Sequence, residues 1–382
     1  MRRIFHNPKV RGAAHRVEGV WDRVHLGIRR RFGRIGPAMI LPYRKFGTPE
    51  RLRIAGRVIE DRGVINAAHT DATWENIRLT LKRYGSREIP GARISYSVGD
   101  SAGEVITDEE GFFEIDLTLA TALPVEPGRM WLPVDLQLLA APHVTSRALS
   151  ARAEVLVPPA HARFGIISDI DDTIVKTGAT NFLKHWRIVV ANSAESRVAF
   201  PGLAPFYRAL QRGGGHDPVN PIFYVSSSPW NLYDLFERYL VLHDIPLGPI
   251  LLKDLGLDAA KWLTGGHDTH KLSQIETVLG TYPHIRFILV GDSGQRDPAI
   301  YAEAVARHPN RIAAIYLRDV TPELRDAEVS KALAGLQASG IRTAYGPDLM
   351  EAAENAVAAG FIAADALTEI RAAIRDPGRP GA

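Results

Sequence analysis

The chain has 382 residues, 46% of them hydrophobic and 23% charged, a composition that excludes global disorder and leaves room for two domains of roughly 150 to 200 residues each. It contains no cysteine, so disulfides, thiolate nucleophiles and cysteine-ligated metals are excluded, and any metal must sit on oxygen or imidazole. The net charge of +3 conceals an asymmetry: residues 1–45 carry twelve Lys or Arg against Glu18 and Asp22, so this stretch is +10 and the rest of the chain −7.

Residues 1–48 are predicted to form a basic leader. Within it Val17, Val20, Trp21, Val24 and Ile28 recur at three- and four-residue spacing with Arg16, Arg23, Arg29 and Arg30 between them, the pattern of a basic amphipathic helix. Such a helix suits peripheral contact with an anionic membrane or docking on the protein's own next domain. No recognition motif or interleaved aromatic pattern points to nucleic acid. No apolar run approaches the ~20 residues of a spanning helix, and MRRIFHNPKV lacks the apolar core of a signal peptide. The expectation is a cytoplasmic protein, peripheral at the inner membrane surface if the leader binds lipid.

From about residue 49 the period changes to two. RLRIAGRV, IRLTLKRY, ARISYSV, GFFEIDLTL and WLPVDLQLLA each alternate apolar with polar positions, and no helical segment separates them. Residues 49–157 are therefore predicted to form a mainly antiparallel β-sandwich, with VLVPPAHAR as the linker leading out of it. Beyond the linker, apolar runs FGIIS, PIFYVS, GPILL, RFILVG and RIAAIYL alternate with helical segments FYRALQR, NLYDLFERYLVLH, HKLSQIETVLGTY and AIYAEAVARH. This grammar predicts an α/β unit over residues 162–370, a doubly wound parallel sheet, followed by a flexible tail at 371–382.

In such sheets reactive groups collect at the carboxyl ends of the strands. Asp169 and Asp171 follow FGIIS, Ser226 follows IFYV, and Asp292 ends RFILVGD. Carboxylates from separate strand ends, with no cysteine and no clustered histidine, form an oxygen-rich site suited to Mg²⁺, which accepts one or two carboxylates and keeps waters for a substrate phosphate. An EF-hand is excluded because Ile174 stands where its loop needs glycine, and a P-loop because no GK[ST] occurs. Asp172 with Thr173 has the simpler reading of a helix N-cap. VINAAHT and GDSGQ superficially resemble trypsin-like protease motifs, but they fall in a β unit and at an α/β strand end, a context that excludes that fold.

DIDDT after an apolar strand resembles the first motif of the haloacid dehalogenase superfamily, and GDSGQRD its last. The closer resemblance is to the actin-patch phosphatidate phosphatase family, carried by FGIISDIDDTI, FYVSSSPWNLYD, HKLSQIETVL and GDSGQRDPAIY in order across residues 162–345. This implies a haloacid-dehalogenase-like, Mg²⁺-dependent phosphoric monoester hydrolase working through an aspartyl phosphate. Phosphatidate is the leading substrate, with a soluble phosphate ester, a phosphoprotein or an idle lipid- or protein-binding module as alternatives.

The resemblance assigns Asp169 as nucleophile and Asp171 as general acid and base. Asp169, Asp292 and the main-chain carbonyl of Asp171 are the implied metal ligands, with Asp297 outside them. Ser226 is the implied phosphoryl donor, its register open to Ser227 and Ser228, and Thr173 fixes the loop. Lys271 is the implied transition-state cation, preferred to Lys253 because it opens the helix leading into the strand that ends at Asp292. His267 and His270 are read as loop or orienting residues. Residues 181–200 are the expected contributor to a substrate-facing surface. Oligomeric state is left open.

Overall fold

A computed structural model describes residues 37–61, 88–126, 128–142, 149–170, 173–174, 200–253, 267–293, 296–320 and 326–376. The helical pattern of residues 16–30, the strand read in IRLTLKRY, most of residues 181–200 and the carboxylates Asp171 and Asp172 lie outside these.

The β-rich unit contains β1 (Ala38–Tyr43), β2 (Lys45–Thr48), β3 (Arg51–Glu60), β4 (Arg93–Val98), β5 (Ser101–Ile106), β6 (Phe112–Thr118), β7 (Trp131–Ala140) and β8 (Leu149–Leu156). They pair in the order β1-β3-β2-β8-β7-β4-β5, with β6 added on β3. All pairings are antiparallel except β2 with β8, so the sheet is mixed. Side-chain alternation decides which face is inside: in β7, Val134, Leu136 and Leu138 are buried while Pro133, Asp135 and Gln137 are exposed. With Leu52, Ile54, Val58, Ile94 and Phe113 they form one core shared by both ends of the sheet. The turn into β6 requires Gly111 at φ +76°, beside Asp108, whose side chain accepts from the N–H groups of Glu110 and Phe112 at 2.9 and 2.8 Å. β1 and β2 fall inside the predicted leader of residues 1–48; β1, AMILPY, is apolar at nearly every position and β2, KFGT, is only four residues long, so neither shows alternation.

The second unit is a parallel sheet of β9 (Gly165–Asp169), β10 (Ile222–Pro229), β11 (Ile250–Lys253), β12 (Phe287–Asp292), β13 (Ile312–Arg318) and β14 (Arg342–Gly346), in the order β11-β10-β9-β12-β13-β14. The chain starts at the centre, runs to one edge, crosses back and runs to the other. The crossing point between β9 and β12 is where such sheets open a crevice at the strands' carboxyl ends. One face is covered by α1 (Leu203–Arg212), α2 (Tyr233–Leu242), α6 (Met350–Ala358) and α7 (Ala366–Arg375), the other by α3 (His267–Thr281), α4 (Asp297–Arg307) and α5 (Asp326–Ala338). Successive strand residues feed opposite clusters, Ile166 to the first and Ile167 to the second, which is why these strands read as unbroken apolar runs.

The two units share cores. Tyr43 and Ala55 enter the first helical cluster, and Phe46, Met130 and Leu156 the second. Phe46 meets Phe223 edge-on at 5.3 Å, the Tyr282 hydroxyl donates to the Gly47 carbonyl at 3.0 Å, and Arg44 pairs with both Glu154 and Glu237. Among the described residues, no helix is long and apolar enough to cross a membrane.

Candidate active site

The two central strands deliver a carboxylate each. β9 is buried throughout, and its last residue, Asp169, is 0% exposed; β12 ends on Asp292 in the same condition. Thr173, four residues after Asp169, places its hydroxyl 3.3 Å from Asp169 Oδ2 and 3.2 Å from Asp292 Oδ2, so its single proton serves one carboxylate at a time. A third carboxylate, Asp297, sits in the first turn of α4, where the helix dipole favours negative charge, with Pro298 beside it. Its Oδ2 accepts the N–H of Asp292 at 3.3 Å. That approach leaves no room for a side chain at position 291, because a Cβ there would run into the Asp297 carboxylate and the Tyr301 hydroxyl. Gly291 is thus a requirement of the site.

Lys271, in the first turns of α3, reaches between the strands. Its Nζ lies 2.7 Å from Asp169 Oδ1 and 2.5 Å from Asp297 Oδ1. Burial alone would push this ammonium down, but the two carboxylates more than reverse that and hold it well above the ordinary lysine value, fully charged. Ligand oxygens of Asp169, Asp292 and Asp297 lie within 4.8 Å of one another. Among the described residues, three clustered carboxylates and one ammonium meet in a dehydrated pocket, and crowding like charges there is costly unless a further cation joins them. The donor set is all oxygen, so the residues fit one hard divalent ion such as Mg²⁺.

The flanking groups are equally buried. Ser226, fully buried, follows Val225, the register partner of Asp169, so it stands one strand over and one residue beyond the carboxylate. Its Oγ accepts the Ser228 N–H at 2.9 Å, fixing the hydroxyl at the carboxyl end of β10. Ser227 is only half-buried, and Lys253 closes β11, two strands from Asp169. The structure therefore brings together Asp169, Thr173, Ser226, Lys271, Asp292 and Asp297.

Two participants were not anticipated from the sequence. Gln274, one turn after Lys271 on α3, donates to the carbonyls of Ser226 at 3.2 Å and Leu251 at 2.9 Å, tying the end of β10 to β11; its amide also lies 2.9 Å from His270 Nε2. The i, i+3 spacing in KLSQ was the available signal. Arg318 ends the buried strand β13, in register with Asp292. The rule that flagged Asp169 and Asp292, a charge closing an apolar strand, also applies to it. Ser293 holds strand ends together: its Oγ lies 3.0 Å from Asp319 Oδ1 and accepts the Val320 N–H at 3.0 Å.

Residues 164–319 match the family described as phosphatidate phosphatase APP1, catalytic domain. The phosphatidate phosphatase APP1 of Saccharomyces cerevisiae is 35% identical over 164 residues, 42% of this chain and 27% of the yeast protein. An uncharacterized protein of Schizosaccharomyces pombe is 26% identical over 156 residues, 41% of this chain and 25% of its own. The chain thus spans about a quarter of the length of these curated relatives. Among solved structures, a carbohydrate acetylesterase from Xanthomonas citri aligns over 74% of this chain and 68% of its own, with 11% identity and a TM-score of 0.27.

Proposed function

We propose, from the family match of residues 164–319 and the buried carboxylate cluster, that this protein is a Mg²⁺-dependent phosphatase on a haloacid-dehalogenase-like fold, hydrolysing phosphatidate to diacylglycerol. The observation that carries the reading is the buried cluster of Asp169, Asp292 and Asp297 at the carboxyl ends of the central strands, with Lys271 bound to two of the three. Asp169, Asp292 and Asp297 would hold the ion, which when bound offsets their repulsion and neutralises charge on the phosphoryl oxygens.

Asp169 supplies the nucleophile. Its carboxylate attacks phosphorus, the bond from phosphorus to the leaving oxygen breaks, and an aspartyl phosphate forms, dividing one difficult hydrolysis into two easier steps. Asp171, two residues on, donates a proton to the departing alkoxide and then takes one from the water that cleaves the acyl phosphate. Lys271 orients Asp169 through Oδ1 and keeps positive charge beside the phosphoryl oxygens as they crowd. The Ser226 hydroxyl lies one strand away to donate to a phosphoryl oxygen, and Gln274 holds its backbone in place.

The covalent step has a direct test. The protein is mixed with phosphatidate and Mg²⁺, quenched in acid and reduced with borohydride, which converts a phosphorylated aspartate into homoserine. Homoserine at position 169, read by peptide mass spectrometry, is the expected result; labelling elsewhere, or turnover without labelling, would remove Asp169 as nucleophile.

A further inference from the structure

Among the described residues, two basic side chains are buried: Lys271 and Arg318. Lys271 is committed to two carboxylates. Arg318 belongs to no part of the chemistry above, although it closes the strand beside Asp292 as that residue's register partner. Neighbouring strands stand about 4.8 Å apart, and register partners in a parallel pair project to the same face. That face is identified by Ile288 and Val290 on β12 and Ala314 and Tyr316 on β13, all in the cluster under α1. Asp292 and Arg318 each fall two residues further along their strand, on the same side.

The guanidinium is held in a defined place, 3.3 Å above the Phe200 ring centroid, just before α1. The hydroxyl of Tyr207, on α1, lies 2.7 Å from Ser168 Oγ, which donates to the main-chain carbonyl of Asp169 at 2.8 Å. Burial pushes the Tyr207 phenol up and its bond with Ser168 pulls it down, with smaller opposing influences from Asp169 and Arg318.

Charge balance gives Arg318 a task. Among the described residues, the three clustered carboxylates and Lys271 would sum to zero with one divalent ion and so would offer no net attraction to a phosphate dianion. Lys253 is half-buried at the end of the edge strand and Arg296 is exposed, so water screens both more strongly. We propose that Arg318 is the substrate-binding cation of this site, gripping the non-bridging oxygens of a phosphate monoester dianion. A guanidinium offers parallel N–H donors suited to that group, and its flat face can stay on Phe200 while its edge binds. The proposal rests on the phosphatase reading for its substrate, but the grip itself is a binding property and is measured as one.

The experiment compares wild type, Arg318→Ala and Arg318→Lys in the full chain. The affinity for inorganic phosphate is read by calorimetry in the presence of Mg²⁺, and kcat and KM are read with phosphatidate and with an aryl phosphate. Loss of one charge-assisted grip predicts that KM for both esters and Kd for phosphate rise together by roughly 10- to 100-fold in Arg318→Ala, with kcat far less affected. Added guanidinium ion should restore Arg318→Ala and leave wild type unchanged. Arg318→Lys, which keeps the charge, should fall between, and it decides the matter if the alanine variant does not fold. Unchanged KM and phosphate affinity with a lowered Tm would overturn the proposal, leaving Arg318 as packing on Phe200. If wild type hydrolyses no ester, the phosphatase reading fails by itself, and phosphate affinity still decides: weaker binding in the variants supports Arg318, whereas equal or absent binding overturns it.

Discussion

Two of the aspartate–cation pairs among the described residues, one in each sheet, differ in almost everything except distance. In the β-rich unit Arg51 Nε donates to Asp116 Oδ1 at 2.7 Å across β3 and β6, with side chains 58% and 44% exposed. At the end of β9, Lys271 Nζ lies 2.7 Å from Asp169 Oδ1, with side chains 2% and 0% exposed. The first pair is solvated, screened and balanced one to one, so it contributes little to stability. The second is desolvated and shared, because one ammonium bridges Asp169 and Asp297 with the Asp292 carboxylate close by. A fold selected for stability alone would replace such a group with apolar packing. Its retention at the strand ends marks the place where charge is stored for chemistry.

The comparison is broken most severely by neutralising one aspartate at a time. Asp169→Asn should reduce phosphate release by roughly 10⁴-fold or more, since the nucleophile is gone, whereas Asp116→Asn should leave turnover unchanged. Next comes the cation. Lys271→Met should lower kcat by roughly 10³-fold and destabilise the metal-free protein by about 3–5 kcal/mol, because buried carboxylates are left uncompensated. Denaturant unfolding should show part of that stability restored when Asp297→Asn is added, since the orphaned charge is then removed.

A smaller effect concerns a half-buried imidazole. His243 packs on Tyr239 at 4.2 Å, and burial pushes its imidazole down from 6.5 to about 4. The unfolded chain then takes up a proton first as pH falls, so stability is lost from about pH 6.5 down to about 4. Tm measured across that range should fall less steeply in His243→Gln. Smallest of all, Arg51→Ala should leave activity unchanged, and its slight Tm difference from wild type should vanish in high salt.

Much of the site was legible because a parallel sheet buried on both faces admits polar groups only where its strands stop. Asp169, Ser226 and Asp292 stood out as polar residues closing or following apolar runs, and Lys271 and Asp297 were reached through the motifs around them. Arg318 obeys the same rule, but a lone cation at a strand end carries no metal-ligand signature. Gln274 shares a helix face with Lys271 in KLSQ, but its work is done through a backbone carbonyl, so the spacing alone does not show what it does. In the β-rich unit, clean alternation revealed β3, β4, β6 and β7. β1 and β2 escaped because AMILPY is apolar at nearly every position and KFGT spans only four residues, so neither displays a polar-apolar alternation; Arg44, between them, ties β8 to α2 through Glu154 and Glu237. Their parallel contact with β8, which makes the sheet mixed, depends on long-range pairing and leaves no local signature.

The central claim, that the buried carboxylates at the ends of β9 and β12 hydrolyse a phosphomonoester, is tested most directly by phosphate release from phosphatidate in mixed micelles. The assay is run with Mg²⁺, with EDTA and with Asp169→Asn. Release that requires both the metal and Asp169 is the predicted result. Release that persists in EDTA or in Asp169→Asn would contradict the account, as would wild-type protein that releases no phosphate from phosphatidate or from an aryl phosphate.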